Sequence, residues 1–338
     1  MMCPTHALDD VASTGAALLG WRNAAATPVR GGGNNRIFRL DGCGGTAALK
    51  LYPSQQDDAR DRLGQEFAAL SFLWGCGVRQ VPRPLAQDRV RRCAAYEWVE
   101  GTPAGEAGPA EVDCLADFFV ALQALRGRPG AEALAAASAS CFSAQMVARQ
   151  LQERLQRIGE VAAKSSDLAS FLEGTIRPGA AAVTDRLRKG CERAGMDFEQ
   201  PLARSKCALS PSDFGLHNAV RRPDGSLTFV DFEYFGWDDP AKAVADVMLH
   251  PGTALSAELA RRYRARVETA LQRQDEHLGR RLDLFFPAIV LIWSLILLNE
   301  FLPERWVRRT LAGETAARTA AQARQLGKAR ELLARHLP

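Results

Sequence analysis

No two of the eight cysteines form a Cys-x-x-Cys pair, and the shortest gap between them, Cys191 to Cys207, is 16 residues. That spacing excludes the common zinc knuckles and dithiol redox motifs. Several cysteines lie among apolar neighbours, as in Phe72-Leu73-Trp74-Gly75-Cys76. They read as reduced, small core residues. Lysine is scarce: only six of the 43 basic residues are lysines, at 50, 164, 189, 206, 242 and 328. Each lysine position is therefore more informative than usual. No dense basic run occurs, and the net charge is only +4, so a nucleic-acid partner is not expected. The nearest thing, Arg89, Arg91 and Arg92, reads as a solvated strand edge.

Long apolar runs are also missing. The longest, Leu284 to Leu298, spans 15 residues and contains Pro287 and Ser294. A bilayer span needs about 20 apolar residues, so this stretch is expected to be a buried helix. The first residues carry neither a basic n-region nor a long apolar h-region, so no secretory signal is expected. The expectation is a soluble cytoplasmic protein with no membrane partner.

What is present has an order. Residues 29–40 read as a strand, a glycine-rich turn and a second strand. Asp41 to Gly45 has the composition of a hairpin turn, and Thr46 to Tyr52 is an apolar strand with Lys50 inside it. Asp57 to Trp74 is the clearest helix, because Leu63, Phe67, Leu70 and Trp74 fall on one stripe. Pro82 to Asp88 and Arg92 to Val99 complete a strand-rich region, and Gly101 to Pro109 reads as a connector. The rest is mainly helical: 112–125, 144–163, 181–194, 255–274, 282–301 and a last helix within 314–333. One stretch, Lys206 to Asp239, breaks that pattern with short strands and polar turns. The fold class expected is α+β, with residues 1–100 as a small antiparallel-sheet lobe and 101–338 as a large helical lobe.

The chemistry concentrates in Ser210 to Asn218, SPSDFGLHN, and Phe229 to Pro240, FVDFEYFGWDDP. Asp213 and Asn218 are five apart, and Asp231 follows Asn218 by 13 residues, after a hairpin-like Pro223-Asp224-Gly225. Alone, each Asp or Asn reads as a turn residue. Together, the D-x4-N, hairpin, D-F-E order resembles the aminoglycoside phosphotransferase and choline kinase-like family, which has the protein-kinase-like two-lobed fold. The resemblance covers about residues 28 to 250 and implies an ATP-dependent kinase of hydroxyl-bearing small molecules, with ATP and Mg²⁺ as cofactors. It assigns Asp213 as the catalytic carboxylate, and Asn218 and Asp231 as metal ligands. Phosphoryl transfer needs positioning and charge neutralisation, and oxygen donors suit a hard cation.

Further parts fall where the resemblance expects them. A lysine in an apolar strand is costly to bury without a partner. The resemblance gives Lys50 the α and β phosphates and pairs it with Glu66, 16 residues on and on the apolar face of the helix. The bland alternative is a snorkelling lysine and an exposed glutamate. Gly31, Gly32, Gly33, Asn34 and Asn35 would let backbone N–H groups approach phosphate oxygens. There is no Gly-Lys-Ser/Thr phosphate loop. Glu97, Trp98 and Val99 occupy the segment that would meet adenine.

The pattern also departs from the family. Pro211-Ser212 stands where His-Gly usually precedes the catalytic Asp, and Gly215 stands where a phosphate-steadying donor is common. His217 or Lys242 are the candidate replacements, although His217 could equally cap a turn. Glu233 is assigned to metal or substrate, and Trp237 and Asp238 to the acceptor site. Asp246 reads as a brace in the following helix, and His250 as that helix's end. The departures keep a second reading in view, a nucleotide-binding pseudoenzyme or regulator. No Ala-Pro-Glu segment follows, so a protein-kinase activation loop is not expected.

Overall fold

The computed structural model describes residues 8–29, 36–53, 60–306 and 317–337. Its contacts divide into two compact units that interleave along the chain. One comprises Met1–Gly105, Gly127–Ala135 and Leu216–Gly236; the other comprises Glu106–Arg126, Ala136–Gly215 and Trp237–Pro338. The stretch that carries Asn218, Asp231 and Glu233 thus belongs to the first unit, while Asp213 belongs to the second.

The first unit is built on a five-stranded antiparallel sheet in the order β1-β2-β3-β5-β4, with β1 Ala24–Val29, β2 Arg36–Gly42, β3 Gly45–Leu51, β4 Pro84–Asp88 and β5 Cys93–Glu97. The β2–β3 hairpin closes at the pair Gly42↔Gly45, and Gly45 has φ +116°, a conformation few residues but glycine adopt. Lys50 lies on the central strand β3, opposite Ile37 on one side and Ala94 on the other. A first helix, α1 (Leu8–Leu19), had no counterpart among the expected elements. It buries Val11, Ala12, Gly15 and Ala16, and its approach to the sheet is so close that a Cβ on Gly15 would lie 2.3 Å from Leu40. Helix α2 (Arg62–Gly75) is capped by Asp61, whose side chain accepts from the Gly64 N–H, and it buries Leu63, Leu70 and Leu73 together with Glu66. A three-stranded sheet, β6 (Thr102–Pro103), β8 (Ala219–Arg221) and β9 (Leu227–Phe229), completes this unit.

The second unit is helical. It contains α3 (Pro109–Gln123), α4 (Ala144–Ala162), α5 (Ser166–Phe171), α6 (Arg177–Arg193), α7 (Pro240–Leu249), α8 (Ala257–Leu271), α9 (Leu278–Leu297) and α10 (Arg318–His336). A short pair, β7 (Ala208–Ser210) and β10 (Gly236–Asp238), is set among them. The apolar run expected to be a buried helix is α9, which packs against α4, α6, α7 and α10. With its last turn it is the one described helix long and apolar enough to cross a membrane, and most of its apolar 18-residue window, 61%, is buried inside the protein. The seven described cysteines are all free, and four of them are buried.

Candidate active site

In the first unit, the chain gathers four charged side chains around Lys50. Its ammonium lies 2.6 Å from Glu66 and 2.5 Å from Asp231, with Glu233 at 3.6 Å. The expected Lys50–Glu66 pair is therefore formed, and Asp231, 181 residues away in sequence, joins it. Glu66 is held on every side: it accepts from the Tyr52 hydroxyl at 2.7 Å and from the Phe232 N–H at 3.1 Å. Tyr52 in turn meets the Tyr96 hydroxyl at 2.7 Å. Arg62, one helical turn before Glu66, donates to Glu233 at 2.6 Å, and both side chains are 1% exposed.

Lys50 and Arg62 face three carboxylates, those of Glu66, Asp231 and Glu233. Burial works against charge on Lys50, yet Asp231, Glu66 and Glu233 together hold its pKa well above the ordinary lysine value. Burial pushes the Asp231 carboxyl up to about 7, with Lys50 pulling the other way. The Asp231 side chain alone is substantially reached by solvent, at 33% exposed. Carboxylate oxygens of Glu66, Asp231 and Glu233 lie within 4.8 Å of one another. A cluster of three carboxylates with one open edge fits a hard divalent cation such as Mg²⁺.

Asn218 is brought to that edge by a hairpin. The β8–β9 register pairs Ala219 with Phe229, and the Val230 N–H donates to the Asn218 carbonyl at 2.9 Å. Asn218 just before β8 and Asp231 just after β9 therefore stand at the same end of one ladder, which is what the 13-residue spacing encodes. Asp231 has φ +66°, a strained value for a side chain with a Cβ. His217 is exposed on the short helical turn Leu216–Asn218. Glu97 ends β5 and its carboxylate takes the Arg83 N–H at 3.2 Å and Arg222 at 3.5 Å. Trp98 stacks under Arg39, whose guanidinium is 5.1 Å from the ring centre. Val99 is half-buried beside it. Gly31, Gly32, Gly33, Asn34 and Asn35 lie outside the described residues.

In the second unit, Asp213 follows a tight turn. Its N–H bonds to the Pro211 carbonyl at 2.9 Å across Ser212, which has φ +67°. Such a three-residue turn with positive φ is rare and strained. The position where the family has glycine thus keeps the left-handed backbone that glycine adopts freely. Ser212 holds the turn by donating its N–H to Ser210 Oγ at 3.0 Å and its hydroxyl to the Ser138 carbonyl at 3.1 Å. Phe214 packs on Phe118 at 5.7 Å. The Asp213 carboxylate is 33% exposed and meets His250 Nε2 at 3.2 Å.

The remaining residues expected to touch substrate are internal to this unit. Trp237 is buried under the Arg204 guanidinium, 3.5 Å from its ring centre. Asp238 accepts the Cys141 N–H at 2.9 Å and the Asp239 N–H at 2.8 Å. Lys242 is buried between Asp246 at 2.6 Å and Asp238 at 3.3 Å. Burial pushes the Asp238 carboxyl up to about 7, against the pull of Lys242. The brace expected of Asp246 is present: it also accepts from Trp293 Nε1 at 2.9 Å.

The sequence reading missed Arg62, Tyr52 and His250. Arg62 carried a signal, a charge four residues before Glu66 on the same helical face. His250 carried none, since its partner is 37 residues away across a helix.

Residues 25–202 match the phosphotransferase enzyme family, more than half of the chain. Among curated proteins no sequence matches it. Solved structures share its fold at low identity. A choline/ethanolamine kinase family protein from Mesorhizobium loti is 16% identical with TM-score 0.60, covering 96% of this chain and 94% of its own. A spectinomycin phosphotransferase in complex with ADP and spectinomycin is 10% identical with TM-score 0.60, covering 97% and 100%. A macrolide 2'-phosphotransferase from Brachybacterium faecium is 16% identical with TM-score 0.59, covering 92% and 99%. The likeness establishes the α+β, protein-kinase-like fold class expected from the sequence. With its antiparallel sheet unit, its helical unit and the match over residues 25–202, the chain belongs to the phosphotransferase enzyme family.

Proposed function

We propose that the protein transfers the γ-phosphate of ATP to a hydroxyl of a small molecule such as a sugar, an amino alcohol or an aminoglycoside-like metabolite. The observation that carries this reading is the buried Lys50 ammonium joining Glu66 at 2.6 Å and Asp231 at 2.5 Å. A cation fixed by one carboxylate and shared with a second, solvent-reached one is suited to trade that second partner for a phosphate oxygen.

In this reading Lys50, positioned by Glu66, holds the α and β phosphates. The backbone of Glu97 to Val99 meets adenine, and Gly31 to Asn35 cover the phosphates. Residues 1–100 thereby serve the nucleotide, and 101–338 supply the catalytic loops and the acceptor site. Asn218 and Asp231 hold Mg²⁺, with Glu233 beside them; when bound, the ion neutralises charge on the phosphates. Asp213 orients the acceptor hydroxyl and takes its proton as the oxygen bonds to phosphorus and ADP leaves. Exposed His217 is the candidate donor to the transferring phosphate. Trp237, Asp238 and Lys242 act from the interior, by shaping the wall around the acceptor. The free cysteines agree with a reducing cytoplasm.

The test is incubation with Mg-ATP and a panel of hydroxyl-bearing metabolites, read by mass spectrometry for a phosphate ester. Transfer to at least one acceptor is expected. Nucleotide binding with no transfer across a broad panel would favour the pseudoenzyme reading instead.

A further inference from the structure

The imidazole of His250 has a neighbour at each nitrogen. Nδ1 lies 3.0 Å from the Gly252 backbone nitrogen and accepts its N–H. A ring nitrogen that accepts a hydrogen bond carries no proton, so the neutral imidazole has its single N–H at Nε2. That atom is the one 3.2 Å from Asp213 Oδ1. The tautomer follows from the backbone: a proton on Nδ1 would face the Gly252 N–H.

The ring has little room to leave this pose. His250 ends α7, and its carbonyl accepts the N–H groups of both Thr253 and Ala254 at 3.1 Å, which closes a rigid turn. The imidazole packs against Trp293 in a T-shaped arrangement, 4.8 Å between ring centres at 82°. Trp293 is fixed by its Nε1 hydrogen bond to Asp246, and Asp246 by Lys242 at 2.6 Å. A chain of contacts therefore runs from a buried ion pair, through an indole and an imidazole, to the Asp213 carboxylate, all within the helical unit.

We propose that His250 is a positioning residue for Asp213, donating Nε2–H to Oδ1 and so fixing the plane of the carboxylate. The proposal rests on the reading of Asp213 as the proton acceptor. Holding one oxygen leaves the hydroxyl a carboxylate already turned to it, which lowers the ordering cost of the reaction.

Two measurements test this. Long-range ¹H–¹⁵N NMR of the ¹⁵N-histidine-labelled full chain reads the tautomer directly. The Nε2–H form is expected for His250, with its Nε2 signal displaced in Asp213→Asn; the Nδ1–H form, or an unconstrained mixture, would overturn the proposal. The second uses substitutions that separate the turn from the pair. In His250→Asn the shorter side chain can still accept the Gly252 N–H but does not reach Asp213, whereas in His250→Gln an amide N–H can stand in for Nε2–H. With Mg-ATP and the acceptor that the panel yields, His250→Gln is expected to stay within about threefold of wild-type kcat. His250→Asn should lose about tenfold to a hundredfold in kcat with an unchanged KM for ATP. Equal activity of the two variants would show a helix-end role only, and would overturn the proposal. Absence of transfer by the wild-type chain would overturn the positioning role together with the kinase reading, and an Nε2–H tautomer would then show that the pair itself stands.

Discussion

Two of the six lysines are buried to the same degree, 4% exposed, and each is paired with at least two carboxylates. Lys50 in the sheet unit holds Glu66 and Asp231; Lys242 in the helical unit holds Asp246 and Asp238. Their surroundings differ. The partners of Lys242 are 11% and 1% exposed, and they are tied further by Trp293, Cys141 and Asp239. One partner of Lys50, Asp231, is 33% exposed and stands on strained backbone. A closed ion cluster braces a fold, whereas one left open at a single carboxylate can exchange that partner for a ligand.

The largest effect that would separate the two is on nucleotide use. Lys50→Met should lower kcat/KM for ATP more than about a hundredfold while the circular dichroism spectrum of the folded chain persists. Near-normal ATP use would erase the distinction. Lys242→Met should instead cost about 3–5 kcal/mol of stability, because it strands two buried carboxylates. An unchanged urea midpoint would show that the second cluster is not a brace.

Smaller effects sharpen the comparison. Glu66→Gln keeps the shape around Lys50 but removes one charge, so ATP use should fall about tenfold, with binding measured by calorimetry. The smallest expected effect is a pH slope. The folded Asp238 carboxyl is raised from 3.8 to about 7, so its protonated form is favoured by folding. That contribution is complete below about pH 4 and is lost as pH rises through 7. Asp238→Asn cannot titrate. The stability of wild type minus that of this variant should therefore fall from pH 4 to 7 in urea titrations. A rise in that signed difference would mean that Lys242 keeps Asp238 ionised.

Much of the first cluster was legible in the sequence. Lys50 in an apolar strand and Glu66 on the inner face of the next helix are local signals. The Asn218-to-Asp231 spacing specifies a hairpin whose two ends meet. Arg62 and Glu233 are 171 residues apart, and neither position asks for the other until the sheet and the hairpin are built. The same holds for His250, which read as a helix end and is one, but also reaches Asp213. Ser212 gives the clearest case of a misleading letter. The side chain departs from the family pattern, yet the backbone at φ +67° keeps the turn, secured by two hydrogen bonds of its own. Helix α1 escaped because its buried face is made of Ala, Gly and Val, too small to mark an apolar stripe.

The central claim is that Asp213 takes the proton of an acceptor hydroxyl while the Lys50 cluster holds the nucleotide. Its most direct test compares wild type and Asp213→Asn for phosphate-ester formation from Mg-ATP at matched nucleotide occupancy. The account predicts intact nucleotide binding and a loss of transfer of about a hundredfold or more in Asp213→Asn. Transfer at the wild-type rate in that variant would contradict it.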